Sequence, residues 1–395
     1  MTTVRHIAVL GGCGHVGLPL ALTFASKGRE VTIVDVNAEA VARVNRGEVG
    51  FMERGAQDLL TRYRGKTLRA TTDTSAVADA DAVICVIGTP IDEHLNPQVG
   101  KLLGVVAALR PYLRAGQLFV LRSTVYPGAT ERLGRWFDEN VPGVDVAFCP
   151  ERVAQGFAVE EIESLPQLVS GTTARAAERA AELFGIVARN LVRTTPIEAE
   201  LGKLFCNSWR YLTFAIANQF YALCAENGVD YARVHAAITS DYPRLRGLPT
   251  AGLAAGPCLF KDTMQLAAYY NNEFSLGQGA MLVNEGFPRI LMLQLRSLGL
   301  ADKTVGILGL AFKGDDDDTR ESLAFKMKKL LELEARAVLC TDPYVKGDFV
   351  VPLERVLAEA DALVIAAPHR EYKELAPRQP TLDPWNHLGR GGLLK

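Results

Sequence analysis

The chain has 395 residues, 48% of them hydrophobic, with 43 Lys and Arg against 45 Asp and Glu and a formal net charge of −2. That length suggests two or three domains, and scattered, balanced charge without an interleaved basic–aromatic stretch argues against a nucleic-acid partner. Cysteines stand at 13, 85, 149, 206, 224, 258 and 340, an odd number with no C-x-x-C pair, which indicates neither a disulfide framework nor a zinc site, and no metal is expected.

At the N-terminus, Met1-Thr2-Thr3-Val4-Arg5-His6 leads directly into a strand-like segment without a signal-peptide apolar core. No apolar run reaches the ~20 residues of a membrane helix. The expectation is a reduced, cytoplasmic protein with no membrane association. Residues 5–10 read as a buried strand, followed by the glycine turn Gly12-Cys13-Gly14-His15-Val16-Gly17 and an apolar helix from Val16 to about Lys27. A second strand, Val31–Val34, ends at Asp35. Strand, G-x-G-x-x-G turn, helix, and an acid at the end of the next strand form the context a dinucleotide site requires. Gly12 would permit the tight turn, Gly14 the approach of a pyrophosphate, and Gly17 close helix–sheet packing, with His15 and Val16 completing the turn. Asp35 would accept from the adenosine ribose diol and repel a 2′-phosphate, so the expected cofactor is NAD rather than NADP.

Further strands are expected at Ala82–Ile87 and Leu118–Leu121; alternation of strands with helical stretches implies a parallel, doubly wound sheet. Residues 197–227 form a long proline-free helical pattern closed by Gly228. More helical sequence extends to about Gly299. At Thr304 the strand–turn pattern restarts with Val305-Gly306-Ile307-Leu308-Gly309. Asp79–Ile84 has a counterpart in Glu359–Val364, and Val31–Asp35 in Ala337–Asp342. The expected fold is α/β: two Rossmann-like doubly wound domains, residues 1–196 and 301–395, joined by a long helix and a helical middle domain, 197–300.

Lys203 and Asn207, four residues apart, share one helix face; Arg210 continues the stripe amid Leu204, Phe205, Trp209 and Leu212. An ammonium and an amide so placed suit stabilisation of a developing oxyanion. Cys258, in Gly256-Pro257-Cys258-Leu259-Phe260-Lys261-Asp262, opens a helix expected over about 261–271, and a helix N-terminus favours the thiolate. Most isolated cysteines are small buried hydrophobes. This one follows a glycine-containing approach, precedes an acid, and shares a chain with a dinucleotide turn. A nicotinamide enzyme that only interconverts alcohol and carbonyl needs no thiol. One that proceeds to a carboxylate can hold the aldehyde as a thiohemiacetal and release it through a thioester. Glu151, just past an expected strand end in Pro150-Glu151-Arg152-Val153, reads by itself as a surface acid, yet it could activate water for thioester hydrolysis. The acids Asp315–Asp318 read as favouring the N-terminus of a helix over about 321–333.

In this order the segments resemble the nucleotide-sugar 6-dehydrogenase family, which includes UDP-glucose and UDP-N-acetylhexosamine dehydrogenases. The resemblance covers nearly the whole chain. It includes the dinucleotide turn, Ile87-Gly88-Thr89-Pro90, Arg122-Ser123-Thr124-Val125-Tyr126-Pro127-Gly128 and Pro150–Val153. It continues through Glu200, Lys203 and Asn207, then Cys258 and Asp262, and ends at Ala311-Phe312-Lys313 and Thr319-Arg320-Glu321-Ser322. It implies a homodimer with the long helix at its interface and a C-terminal domain that binds the UDP moiety of the substrate. By position, Cys258 is the nucleophile, Lys203 and Asn207 the oxyanion donors, Asp262 the proton-transfer group and Glu151 the acid serving hydrolysis. Thr124 would sit beside the nicotinamide, with Thr89 and Pro90 also at the cofactor. Arg320 would meet the cofactor or a domain interface. Arg152, Arg210 and Lys313 would face substrate, as would Arg244, which in relatives reaches the sugar from the other subunit. The family usually has two adjacent glycines two residues before the cysteine, where this chain has Ala255-Gly256-Pro257, a departure bearing on the sugar pocket.

The expected reaction is NAD-dependent, four-electron oxidation of a UDP-sugar C6 alcohol to a carboxylate, serving surface polysaccharide synthesis. Pro150-Glu151-Arg152-Val153 and Asp383-Pro384-Trp385-Asn386 resemble the N-acetylhexosamine branch; the Lys261-Asp262 ending resembles the glucose enzymes, so UDP-glucose is the alternative substrate. Rival readings are a simple hydroxy-acid dehydrogenase, which would leave Cys258 idle, and a non-catalytic NAD- or nucleotide-sugar-binding protein.

Overall fold

The computed structural model describes residues 4–88, 91–92, 98–254 and 256–395. Thr89 and Pro90, expected at the cofactor, lie outside the described residues. The chain divides into two compact units, the first ending at Phe205 and the second beginning at Cys206.

In the first unit, β1 (His6–Leu10), β2 (Glu30–Val34), β3 (Leu68–Thr71), β4 (Ala82–Cys85), β5 (Leu118–Leu121), β6 (Asp145–Phe148), β7 (Gln167–Gly171) and β8 (Leu191–Arg193) form one sheet in the order β3-β2-β1-β4-β5-β6-β7-β8. All neighbours are parallel except β6 and β7. Parallel strands are covered on both faces, and β1 shows how. Ile7 and Val9 join one core cluster with Leu18, Leu22 and Phe24. Ala8 and Leu10 join another with Val83, Cys85 and Phe119. Helix Gly17–Ser26 is buried over Gly17–Ala25, as its apolar sequence requires.

The helix Pro196–Glu226 runs across the division between the units. The second unit continues with helices Tyr231–Thr239, Leu259–Tyr269 and Ser275–Leu295 and then a sheet ordered β10-β9-β11-β12. Its strands are β9 (Thr304–Leu308), β10 (Ala337–Thr341), β11 (Ala362–Ile365) and β12 (Thr381–Leu382), all parallel.

The sequence echo has a structural counterpart. The β9 strand pairs with β10 and β11 as β1 pairs with β2 and β4. Asp81 accepts from the N–H groups of Arg5 and His6 at the start of β1, and Asp361 accepts from Thr304 N–H at the start of β9. Asp35 accepts from Cys13 N–H past β1, and Asp342 accepts from Leu310 and Ala311 N–H past β9. Each acid ties a strand end to the neighbouring turn, which is why the same positions recur.

The acidic run departs from expectation. The helix after it spans Leu323–Glu334, is capped by the Ser322 side chain on Ala324 N–H, and has no acid in its first turn. Asp315 instead pairs with Arg370, Asp316 with Lys313 and Asp318 with Arg320. These acids organise the loop before the helix rather than its dipole.

Candidate active site

The dinucleotide turn follows β1 in the first unit. Its left-handed residue is Gly11, at φ +71°, one position before the Gly12 to which the tight turn was attributed. Gly12 answers to packing instead, since a Cβ there would lie 2.9 Å from the Val9 carbonyl oxygen. A Cβ on Gly17 would lie 2.4 Å from Gly12 Cα, whereas one on Gly14 would meet no described atom within 4 Å. The turn is therefore tight behind and open in front, as a pyrophosphate at a helix N-terminus needs. His15 stacks on Phe51 with ring centroids 4.1 Å apart, and Val16 is the residue before the helix. Asp35 Oδ2 accepts from Cys13 N–H and Oδ1 from Asn37 N–H, each at 3.0 Å. The Cys13 thiol also bonds to Asp35; a carboxylate has about four acceptor positions, so one stays available for the ribose diol. These residues fit NAD. The analogous Asp342 is spent on structure: it accepts from four backbone N–H groups, those of Leu310, Ala311, Tyr344 and Val345, and is also bonded to His369 Nε2 at 3.0 Å. Of the two echoing turns, the first is the one built for a dinucleotide.

Glu151 is buried rather than on the surface. Its Oε2 accepts from Arg122 at 2.5 Å, and its Oε1 from the N–H groups of Arg152 and Val153 at 2.7 and 2.8 Å. Arg122 itself is buried, donates also to the Cys149 carbonyl and Gln167, and lies over the Phe184 ring. Arg122 carried no assigned role in the sequence, although it opens the motif ending at Gly128. Thr124, in the same motif, is half-buried. Arg152 donates to the Pro166 carbonyl. Glu200 receives Gly128 N–H and both the N–H and the hydroxyl of Thr130, fastening the N-terminal part of the long helix to the end of that motif.

Lys203 and Asn207 are both buried, 9% and 6% exposed, one turn apart on the long helix. Arg210 does not continue their stripe. A 3.6-residue period carries the buried row from 203 and 207 to Tyr211, which is fully buried, while Arg210 is exposed.

In the second unit, Cys258 is exposed and occupies the N-cap of helix Leu259–Tyr269, two residues earlier than the expected start. One turn on, Asp262 is fully buried, accepts from Asn207 Nδ2 at 2.6 Å and pairs with Lys261 Nζ at 3.1 Å. Lys261, which in the sequence bears only on the resemblance to the glucose enzymes, is placed by this pair against the candidate acid. Arg320 forms a two-pronged pair with Asp318 and lies within electrostatic reach of Cys258. Lys313 pairs with Asp316 at 3.2 Å. Arg244 is exposed beside Tyr242. The half-buried thiol of Cys13 and the buried ones of Cys149 and Cys340 are chemically quiet. Burial, with Asp35 adding to it, pushes Cys13 up to about 12, and burial pushes Cys149 to about 12 and Cys340 to about 11.

Thus the structure joins Asn207, Asp262 and Lys261 by direct contact, sets Arg320 in reach of Cys258, and separately joins Arg122 to Glu151. Among the described residues there is no cluster of three or more metal-ligating side chains, and no helix is long and apolar enough to cross a membrane.

Comparison with known proteins covers nearly the whole chain. The UDP-glucose/GDP-mannose dehydrogenase family matches through its NAD binding domain at residues 5–187, its central domain at 197–285 and its UDP binding domain at 306–387. UDP-N-acetyl-D-mannosamine dehydrogenase of Pyrococcus horikoshii is 32% identical over 94% of this chain and 91% of that protein. The structure of UDP-D-ManNAc dehydrogenase from Pyrococcus horikoshii superposes with a TM-score of 0.90 at 28% identity, covering 96% of this chain and 95% of the other. That of a UDP-glucose dehydrogenase from Pyrobaculum islandicum gives 0.88 at 30% identity, covering 96% and 94%.

Proposed function

The chain belongs to the UDP-glucose/GDP-mannose dehydrogenase family, and from that premise we propose that it oxidises the C6 hydroxymethyl of a UDP-sugar to a carboxylate through a covalent Cys258 intermediate. It is an NAD-dependent oxidoreductase. The observation that carries the proposal is the buried Asn207–Asp262 hydrogen bond one helical turn after an exposed thiol. That pair fixes an acid next to a nucleophile in a chain that already has a site for a hydride acceptor.

Gly12–Gly17 and Asp35 would hold NAD, which would supply the hydride acceptor, one NAD for each of the two oxidations. Asp262 takes the C6 hydroxyl proton through water. Lys203 and Asn207 donate to the oxygen as negative charge develops on it. Cys258 Sγ forms a C–S bond to the aldehyde carbon, with its thiolate favoured by the helix N-terminus. The thiohemiacetal so formed gives up its remaining C6 hydride in the second oxidation and becomes a thioester, and Glu151 activates the water that cleaves it, which frees the carboxylate and returns the thiol. Three of about four acceptor positions on Glu151 are occupied, and the remaining one on Oε2 can take a water proton.

We read the chain as three functional domains, 1–196, 197–300 and 301–395, with Lys313 and Arg320 in the UDP-binding part. The exposed apolar residues Phe205, Trp209, Ile216, Phe220 and Leu223 recur at helical spacing along Pro196–Glu226, and we place a homodimer interface there. For the sugar, the mannosamine relative and Arg152 beside Glu151 favour a UDP-N-acetylhexosamine and a role in surface polysaccharide synthesis. The Lys261–Asp262 pair and the likeness to a UDP-glucose dehydrogenase keep UDP-glucose as the second reading. Relative kcat/KM for UDP-glucose and the UDP-N-acetyl forms of glucosamine, galactosamine and mannosamine decides between them. For the reaction itself, Cys258→Ser with substrate and NAD should give a covalent adduct or released aldehyde by mass spectrometry, and uronate formation at the wild-type rate would overturn the role of Cys258.

A further inference from the structure

The segment leading to Cys258 is held by contacts that its sequence alone does not announce. Gly252 lies flat against the Trp385 indole: a Cβ there would stand 2.4 Å from Cδ2 and Cε3. Four residues on, Gly256, at φ +78°, meets the Phe312 ring, with Cδ2 2.6 Å from a Cβ placed on it. Both rings come from the part of the second unit built around the β9–β12 sheet. Trp385 Nε1 donates to the Ala366 carbonyl beyond the end of β11. Phe312 N–H donates to the Asp318 carbonyl, and Lys313, next in sequence, extends over the Phe312 ring.

From the helical side the same segment is pinned through its backbone. Gly252 N–H donates to Asn218 Oδ1 at 2.9 Å, Asn218 Nδ2 to Asn284 Oδ1 at 3.0 Å, and Asn284 Nδ2 to the Tyr211 carbonyl at 3.0 Å. This buried ladder runs back to the helix that carries Asn207. A stiff residue, Pro257, then precedes the thiol. Gly252 and Gly256, before the thiol in sequence, are thus each set against a ring, and Gly252 is also held by the amide ladder.

We propose that Trp385 and Phe312 are positioning residues for Cys258: each ring seats on a glycine before the thiol and fixes where the sulfur meets the C6 carbon. Because Phe312 adjoins Lys313, the seat of the nucleophile and the assigned substrate-binding lysine belong to one continuous stretch of chain. This rests on the reading of Cys258 as the nucleophile. It also accounts for the spacing of the pre-cysteine segment: a glycine is needed wherever a ring lands, at 252 and 256.

The test uses the full-length enzyme with NAD and its preferred UDP-sugar. Phe312→Ala should cut kcat, approaching the ~100-fold that misplacement by about 1 Å can cause, while the KM for NAD stays within error and Phe312→Tyr, which keeps the ring, restores most of the rate. The iodoacetamide alkylation rate of Cys258 should change with Phe312→Ala and return with Phe312→Tyr. A cycle of Gly252→Ala, Trp385→Ala and the double variant supplies a second readout. Gly252→Ala should damage kcat strongly in the wild-type background and little once Trp385→Ala has removed the ring it strikes. Unchanged kcat and alkylation in Phe312→Ala, or strictly additive effects in the cycle, would overturn the proposal. Full activity of Cys258→Ala would instead overturn the nucleophile reading, so the two failures are distinguishable.

Discussion

Replacing Asn207 by alanine separates a structural from a chemical role at the centre of the candidate site. Asn207 Nδ2 donates to Asp262 Oδ2 at 2.6 Å, and Asp262 is fully buried. After the substitution the carboxylate retains the Lys261 ammonium at 3.1 Å but loses the Asn207 amide. A hydrogen bond to a charged group contributes about 1.5–3 kcal/mol, so the unfolding free energy of the second unit should fall by roughly that amount. The oxyanion role adds a kinetic loss of about 2.7–4 kcal/mol, or about 10²–10³ in kcat. Stopped-flow NADH formation at saturating UDP-sugar and NAD reads the second quantity, and urea unfolding reads the first. The NAD dissociation constant should barely move, because the NAD turn and Asp35 are elsewhere on the chain. A kcat within about threefold of wild type, with the stability loss present, would show that Asn207 serves Asp262 alone and would refute its place at the oxyanion.

Asp35→Ala should raise the KM for NAD about 10- to 100-fold, the equivalent of one charge-assisted hydrogen bond, and narrow the preference over NADP; an unchanged KM with both cofactors would contradict the ribose role. Gly14→Ala should leave the melting temperature unchanged while weakening NAD binding, whereas Gly17→Ala, whose Cβ would lie 2.4 Å from Gly12 Cα, should lower both; isothermal titration and calorimetry distinguish them. Trp209→Glu should yield monomers in sedimentation velocity, and an unaltered sedimentation coefficient would move the interface off the long helix. Burial alone would raise the Asp342 carboxyl, but the hydrogen bond and charge of His369, with the N–H groups of Leu310 and Tyr344, outweigh it and hold it at about 2 against an ordinary 3.8. A depressed carboxyl stabilises the fold above its ordinary value, and that stabilisation, about 2 kcal/mol, is lost as pH falls from about 4 toward 2. Asp342→Asn should therefore flatten acid unfolding across that window, and a parallel acid limb would refute the assignment.

Much of this architecture is legible from sequence wherever a local rule governs the chain. Parallel strands buried on both faces must read as continuous apolar runs, so β1, β2, β5 and β9 are visible, as is the long helix. Short strands with a polar edge, such as β3 with its exposed Arg69 and β8 with exposed Val192 and Arg193, have no such signature; they exist because a neighbour pairs with them. Side-chain partners are less visible still. Nothing local says that Arg122 meets Glu151, which is 29 residues away, or that Trp385 lies on Gly252. Arg210 is a subtler case: a three-residue step from Asn207 is as compatible with a helix face as a four-residue one, and burial follows the four-residue step to Tyr211. The acidic run departs from one shared purpose because its members take separate partners: Asp315 pairs with the distant Arg370, while Asp316 and Asp318 pair locally with Lys313 and Arg320.

The most direct test of a covalent four-electron oxidation is to count NADH against sugar. Purified enzyme with excess NAD and a limiting, known quantity of its UDP-sugar should produce two NADH per sugar consumed, with uronate as the product and no aldehyde free in solution. One NADH per sugar, with aldehyde accumulating, would contradict the account and leave Cys258 without a chemical role.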